Sequence, residues 1–136
     1  MVRSAACNGI AFDPSLVVTG NYQEHSGLLA MEQLLSRDTS ITAVFSANDQ
    51  MALGARLCLY RRGIRVPDDI SIVGFDDLFS SSYSTPPLTT VRQPGQEMGV
   101  AAALMVLRLL EGRPLPDPIF TPHLVVREST TRLRHS

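Results

Sequence analysis

The 136-residue sequence is poor in cysteine and in net charge. Its two cysteines, Cys7 and Cys58, form no C-x-x-C pair and have no histidine at metal-binding spacing. This pattern predicts no metal site and two inert, buried thiols in a reducing compartment. The formal net charge is −1, so no overall positive field would draw the chain onto nucleic acid or acidic lipid.

Long hydrophobic runs are missing as well. The most apolar stretch, residues 100–110, is interrupted by Arg108 and is too short to span a bilayer. The first ten residues, M-V-R-S-A-A-C-N-G-I, contain no apolar core of secretory length, so we expect no signal peptide. With 44% hydrophobic and 18% charged residues, the composition is typical of one globular domain, and we expect a cytoplasmic protein without membrane contact.

No arrangement of side chains suited to catalysis can be recognised. His25, His123 and His135 lie far apart in the sequence and form no general-base or metal-binding set. Ser46 and the serines at 80–82 have no paired base, which disfavours nucleophilic catalysis. We therefore expect no enzyme activity, no catalytic residue and no cofactor.

The spacing of apolar residues alternates along the chain between the period of a strand and that of a helix. It predicts strands at residues 16–18, 41–45, 70–75, 88–92 and 123–127. It predicts helices at 26–35, from Asn48 to a stop at Gly63, and at 96–111. Strands and helices that alternate at these lengths indicate an α/β fold with a parallel sheet flanked by helices on both faces.

Polar residues follow the predicted strands, at the sheet edge where ligands bind in open parallel sheets. In chain order they are Asn21 and Tyr22, then Ser46, Asn48 and Asp49, then Asp76 and Asp77, and finally Gln93. A carboxylate is costly to bury without a partner. A strand that ends in two aspartates therefore indicates that this edge of the sheet is a binding edge.

Several of these residues also have an ordinary structural interpretation. Asn48 can cap its helix, contact a ligand, or do both. Asp76 is the better candidate for an inward-facing acceptor, whereas Asp77 is predicted to be a solvated turn or cap residue. Tyr22 is either a partly buried core residue or an exposed ring that stacks on a ligand. The terminal R-E-S-T-T-R-L-R-H-S is predicted to be a solvated tail rather than a DNA-binding arm.

Four stretches stand out by their order and spacing: F-S-A-N-D-Q-M-A-L-G-A, G-I-R-V-P-D-D-I-S-I-V-G-F-D-D, P-P-L-T-T-V-R-Q-P and H-L-V-V-R-E-S. Together they closely resemble the lac repressor family of bacterial transcriptional regulators. Upstream, G-I-A-F-D-P-S-L-V-V-T-G-N-Y-Q-E-H-S-G is similar to the family's segment before its effector-pocket aromatic. The resemblance covers nearly the whole chain.

The resemblance implies the C-terminal lobe of a periplasmic-binding-protein-like domain of type I, in which two α/β lobes close on a small effector, a sugar or a nucleobase. It implies that Tyr22 is the aromatic that packs against the ligand. It further implies that Asn48 and Asp76 hydrogen-bond the ligand, and that Gln93 lies at the pocket edge.

The resemblance also implies that the chain forms a homodimer and that operator DNA is a partner of the complete protein. The dimer contact would be formed by Leu53 and by the segment 78–84, whose apolar residues are Leu78, Phe79 and Tyr83. The family reads operator DNA through an N-terminal helix-turn-helix, which has no counterpart in this sequence. We therefore interpret residues 1–136 as a partial effector-binding and dimerisation domain, mainly the C-terminal lobe. Residues 95–114 would belong to the otherwise missing N-terminal lobe.

Two other classes of protein remain as alternatives. A sugar-binding protein of a transport system would have the same fold and the same pocket chemistry. The missing export signal and the regulator-like R-V-P-D-D-I-S-I-V-G-F-D-D stretch stand against it. An enzyme is the other alternative, and the lack of a recognisable nucleophile–base pair stands against it.

Overall fold

The computed structural model describes residues 12–37 and 40–132, and its centre is a four-stranded mixed sheet. The strands, in spatial order, are β1 (Ala43–Phe45), β2 (Ser71–Asp76), β3 (Thr89–Arg92) and β4 (His123–Val125). The first three run parallel, and β4 runs antiparallel to β3. The α/β class is confirmed, and the predicted parallel sheet comprises β1 to β3, to which β4 adds one antiparallel strand.

Four helices accompany the sheet: α1 (Glu24–Arg37), α2 (Asp49–Arg61), α3 (Phe79–Tyr83) and α4 (Gly95–Leu110). The predicted ends of α2 are confirmed. The Asn48 side chain accepts the Met51 N–H at 2.9 Å, and Gly63, after the last turn, has the left-handed φ of +70° that favours glycine. No helix in the described part of the chain is long and apolar enough to cross a membrane.

The backbones of α1 and α2 touch because a glycine stands at each point of closest approach. A Cβ atom on Gly27 would lie 2.1 Å from the carbonyl oxygen of Met51. A Cβ atom on Gly54 would lie 1.8 Å from the carbonyl oxygen of Glu24. Both distances are too short for a non-bonded contact, so no residue with a Cβ atom fits at either position without moving a helix.

The hydrophobic core lies between this helix pair and one face of the sheet. Met31 and Leu59 from the helices meet Ile72 and Leu88, and all four side chains are buried. Val44 of β1 packs against the same core, whereas Phe45, which points to the other face, is 47% exposed. Among the described residues, helices therefore cover only one face of the sheet. The prediction of helices on both faces is wrong for this part of the chain.

Cys58 lies in this core and is buried, as predicted. Burial raises the pKa of its thiol, and a thiol that stays protonated is a poor nucleophile. Cys7 lies outside the described residues.

Residues 16–18 do not form the predicted strand. Pro14–Leu16 form a 3-10 turn instead, and the Asp13 side chain accepts the Ser15 N–H at 2.8 Å. Proline lacks the N–H that a first helical residue leaves unpaired, and its fixed φ suits a helical turn. This local cap and turn outweigh the β-propensity of Val17 and Val18.

Helix α4 stands apart from the rest of the structure. None of its 16 residues is buried. Its exposed apolar residues are Met98, Val100, Leu104, Val106, Leu107, Leu109 and Leu110. After α4 the chain returns to the sheet as β4, which pairs antiparallel with β3.

Candidate functional site

The carboxyl ends of the three parallel strands bring predicted site residues to one edge of the sheet. Asp76 ends β2, and Gln93 follows β3 directly. The Gln93 amide donates to Asp76 Oδ1 at 2.9 Å. In the described part of the chain, no second donor reaches this carboxylate, which leaves it acceptor capacity for a ligand hydroxyl or amine.

The backbone at the end of β2 is strained. Asp76 has a φ of +108° and Asp77 a φ of +58°, and both are non-glycine residues. Such conformations persist only where surrounding contacts hold them, and they are common at functional sites. The strain indicates that the orientation of the Asp76 carboxylate is imposed by its neighbours.

Asp77 supplies part of that restraint, and its prediction as a solvated residue is wrong. Its side chain is only 4% exposed and pairs with both Arg92 and Arg127. Burial alone would raise the pKa of Asp77, but the hydrogen bonds and charges of Arg127 and Arg92 outweigh it and hold that pKa below its usual value. The second aspartate of the D-D pair therefore joins β2 to β3 and to the segment after β4.

The prediction of a solvated tail is also wrong for residues 127–131. Arg127 donates to the Leu88 carbonyl at 2.7 Å as well as to Asp77. Ser129 is fully buried; its hydroxyl donates to the Ile72 carbonyl at 2.6 Å and accepts the Thr89 N–H at 2.8 Å. This segment therefore hydrogen-bonds to both β2 and β3. Residues 133–136 lie outside the described part.

Asn48 and Tyr22 meet at the same edge. Besides capping α2, the Asn48 amide donates to the Tyr22 carbonyl at 3.0 Å. The Tyr22 ring is 61% exposed, and its residue has a φ of +67°. Tyr22 is therefore not a core residue, and Asn48 fixes the loop that presents its ring.

An apolar cavity of about 340 Å³ lies beside this edge, between the loop at residues 16–20, α1, α2 and β1. Tyr22 and Ser46 border it, and Val17, Met31 and Phe45 are among its apolar walls. Asn48, Asp76 and Gln93 do not line it. Asp76 and Gln93 are half-buried outside this cavity, and Asn48 is buried, with only 7% of its surface exposed.

Asp49 is a buried polar residue whose role was not predicted. It is fully buried and accepts hydrogen bonds from the Leu78 N–H at 2.8 Å and from the hydroxyls of Ser81 and Thr90, both at 2.6 Å. A Cβ atom on Gly74 would lie 2.1 Å from Asp49 Oδ1, so the glycine inside β2 makes room for the carboxylate. That glycine is the one signal in the sequence that could have indicated such a contact.

The residues predicted for a dimer contact lie at the surface. Leu53 is half-buried, and Leu78, Phe79 and Tyr83 form an exposed apolar surface, here called the α3 face. Phe79 and Tyr83 are 82% and 72% exposed, and their ring centroids are 4.8 Å apart. Within residues 12–37 and 40–132, no three potential metal-binding side chains come together.

Comparison with known proteins relates this structure to one group. The sequence model of the family described as "Periplasmic binding protein-like domain" matches residues 2–130. The transcriptional regulator GalR of Escherichia coli is 45% identical over 126 residues, which cover 91% of this chain and 37% of GalR. The transcriptional repressor CytR of Escherichia coli is 39% identical over 127 residues, with 92% and 37% covered.

Solved structures of transcriptional regulators show the same relationship. A complex of the transcriptional regulator CelR with cellobiose has a TM-score of 0.87 and 38% identity, covering 94% of this chain and 40% of that one. A dimeric lac repressor has a TM-score of 0.85 and 35% identity, with 95% and 47% covered. This chain thus spans less than half the length of each of these proteins. It belongs to the periplasmic binding protein-like domain family, in the form carried by regulators of the LacI/GalR type.

Proposed function

We infer that this chain is the effector-sensing and dimerising part of a transcriptional regulator of the LacI type. The observation that carries the proposal is the hydrogen bond between Asp76 and Gln93 at the carboxyl edge of parallel strands, together with the Asn48 contact that holds the loop of the exposed Tyr22 ring. The relatives named above are regulators, which does not favour the transport alternative or an enzyme. A regulator of operator DNA would work in the cytoplasm.

The proposed effector is a sugar. The Asp76 carboxylate is a strong acceptor for sugar hydroxyls, and the amide of Gln93 adds a donor and an acceptor. The exposed Tyr22 ring offers a flat apolar surface for the less polar face of a sugar ring. CelR, one of the structural neighbours, was solved with cellobiose. A nucleobase is the second candidate, because it would stack on the same ring.

The proposed partners follow from the same family. The α3 face and Leu53 would form the contact between two copies of the chain. The net charge of −1 offers no general attraction to DNA, so operator binding would depend on a helix-turn-helix outside these 136 residues. Helix α4, with its uncovered apolar surface, would pack against a second lobe of the complete effector domain.

A thermal-shift panel tests the effector proposal. The chain is heated with millimolar cellobiose, D-galactose, D-ribose or adenine, in parallel with its Asp76→Ala variant. A ligand that binds only the folded state raises the melting temperature. We expect a sugar to stabilise the wild-type chain and not the variant. Stabilisation by adenine alone would replace the sugar with a nucleobase, and a shift that persists in Asp76→Ala would move the site elsewhere.

A further inference from the structure

We propose that Asp49 is a positioning residue that holds helix α3 in place, and with it the α3 face. The part of this inference that concerns assembly rests on the proposed function, because it takes the α3 face as the contact between two copies. The part that concerns the position of α3 stands on the described contacts alone.

Helix α3 has few interactions of its own that would stabilise it. It has five residues, and its N-cap residue, Leu78, forms no side-chain capping bond. Isolated helices shorter than about 12–15 residues are marginal in water. Three of the residues in and beside this helix expose large apolar side chains, so burial of Leu78, Phe79 and Tyr83 contributes little to fixing it. Contacts from elsewhere in the fold must do so.

The Leu88 N–H donates to the Ser81 carbonyl at 2.8 Å, and Asp49 provides the side-chain contacts. One oxygen, Oδ2, accepts both the Leu78 N–H and the Ser81 hydroxyl, so the carboxylate caps α3 from a different helix. The other oxygen accepts the Thr90 hydroxyl of β3. Hydrogen bonds to an ionised acceptor are stronger than those between neutral groups. Asp49 lies in the first turn of α2, where the helix dipole favours a negative charge.

The position of Asp49 in the chain connects α3 with the candidate effector edge. Asn48, the preceding residue, holds the Tyr22 loop through its amide. Two consecutive residues at the start of α2 therefore support the aromatic ring on one side and the α3 face on the other. A shift of the α2 N-terminus would move both surfaces together.

Hydrogen exchange of single amides tests the positioning role. Ser81→Ala removes one bond to the Asp49 carboxylate. Asp49→Asn keeps the volume of the side chain but replaces one accepting oxygen by an NH2 donor, so the bonds to that oxygen are lost and those to the other are weakened. We expect the Leu78 amide to exchange about tenfold to a hundredfold faster in Ser81→Ala, which is the effect of losing one hydrogen bond to a charged group. The Ile72 amide, bonded to the Ser129 carbonyl at 2.8 Å, should change much less.

Ser82→Ala is the matched control, because Ser82 is exposed and neighbours Ser81 in the same helix. It should not accelerate exchange at Leu78. If Leu78 is unaffected in Ser81→Ala and Asp49→Asn, the proposal is wrong. Equal acceleration of Leu78 and Ile72 would also overturn it, since that result marks a general loss of stability.

Sedimentation equilibrium of the same variants tests the link to assembly, with Phe79→Ala as the probe of the α3 face itself. We expect Phe79→Ala and Ser81→Ala both to weaken self-association several-fold. If only Phe79→Ala does so, the face needs no positioning by Asp49 and the inference is overturned. If Phe79→Ala has no effect, the proposed dimer contact is wrong, and hydrogen exchange alone decides the role of Asp49.

Discussion

Asp76 and Asp77 are neighbours at the end of β2, yet their carboxylates have different surroundings. Asp77 is enclosed by two arginines, whereas Asp76 contacts one neutral amide, that of Gln93. A carboxylate already paired with two cations has little left to offer a ligand, and one with a single amide partner has more. At the scale of the residue, this contrast separates a structural aspartate from a candidate ligand-binding one.

We predict that Asp76→Ala weakens effector binding by about tenfold to a hundredfold, because a hydrogen bond to a charged group contributes about 1.5–3 kcal/mol. Calorimetry with the effector found in the thermal-shift panel measures the change. Asp68→Ala is the control, since Asp68 is a half-exposed aspartate in a turn beside Arg65. An unchanged affinity in a well-folded Asp76→Ala protein would remove Asp76 from the site.

The surroundings of Asp77 lead us to predict that the stability of the fold depends on pH. Its pKa is lowered in the folded chain, so the unfolded chain takes up the proton first as the pH falls. The contribution of Asp77 to stability is therefore present above the unfolded pKa of about 4 and is lost as the pH falls through the lower folded value.

Asp77→Asn should lower the free energy of unfolding by about 1–3 kcal/mol at neutral pH, since it removes the negative charge and leaves one accepting oxygen for two arginine donors. The difference from wild type should shrink as the pH falls below the unfolded pKa of about 4. Urea unfolding at several pH values measures both effects. A difference that stays constant with pH would show that the charge of Asp77 is not what stabilises the fold.

At the scale of the element, the helix pair α1–α2 depends on close backbone approach. Gly54→Ala would place a Cβ atom 1.8 Å from the Glu24 carbonyl oxygen and force the helices apart. We predict a loss of about 1–3 kcal/mol or more, the range for overpacked cores. Gly99→Ala in α4 is the matched control, because no atom lies within 4 Å of its Cβ position.

The control should be neutral or stabilising by about 0.5–1 kcal/mol, since alanine favours a helix interior over glycine. Thermal or urea unfolding of both variants gives the comparison. Equal effects of the two substitutions would mean that helix propensity, and not the contact between α1 and α2, governs the response.

At the scale of the whole molecule, α4 leaves a large apolar surface uncovered. Exposing one leucine-sized side chain forfeits about 1.5–3 kcal/mol, so the seven exposed apolar residues of α4 together rival the stability of a typical domain. We predict that the chain by itself self-associates through this helix in addition to the α3 face.

Light scattering and a dye that binds apolar surface measure this behaviour. The double variant Leu104→Gln and Leu107→Gln should reduce both signals, because both side chains are more than half exposed and removing them takes no core contact away. A monodisperse wild-type monomer that binds no dye would contradict the prediction.

We also predict that these 136 residues alone show no preference for operator DNA. The net charge is −1, and specific binding needs both phosphate contacts and base readout. A gel shift at low salt compares an operator-like sequence with random DNA. A sequence preference would contradict the prediction.

The sequence by itself determined the elements whose signals are local. Helix α2, with Asn48 as its cap and Gly63 as its stop, and the strands β2 and β3 follow from residues only a few positions apart. Parallel strands then bring their carboxyl ends together, so the proximity of Asp76 to Gln93 could be anticipated from their positions after two strands.

Only the tertiary structure decided which distant groups meet. One partner of Asp77 is Arg127, 50 residues away, and Ser129 joins β2 to β3 from a segment that was predicted to be a solvated tail. The donors to Asp49 come from α3 with its N-cap and from β3, and β4 pairs antiparallel with β3. These contacts depend on the path of the whole chain, which neither periodicity nor capping specifies, because both act within a few residues.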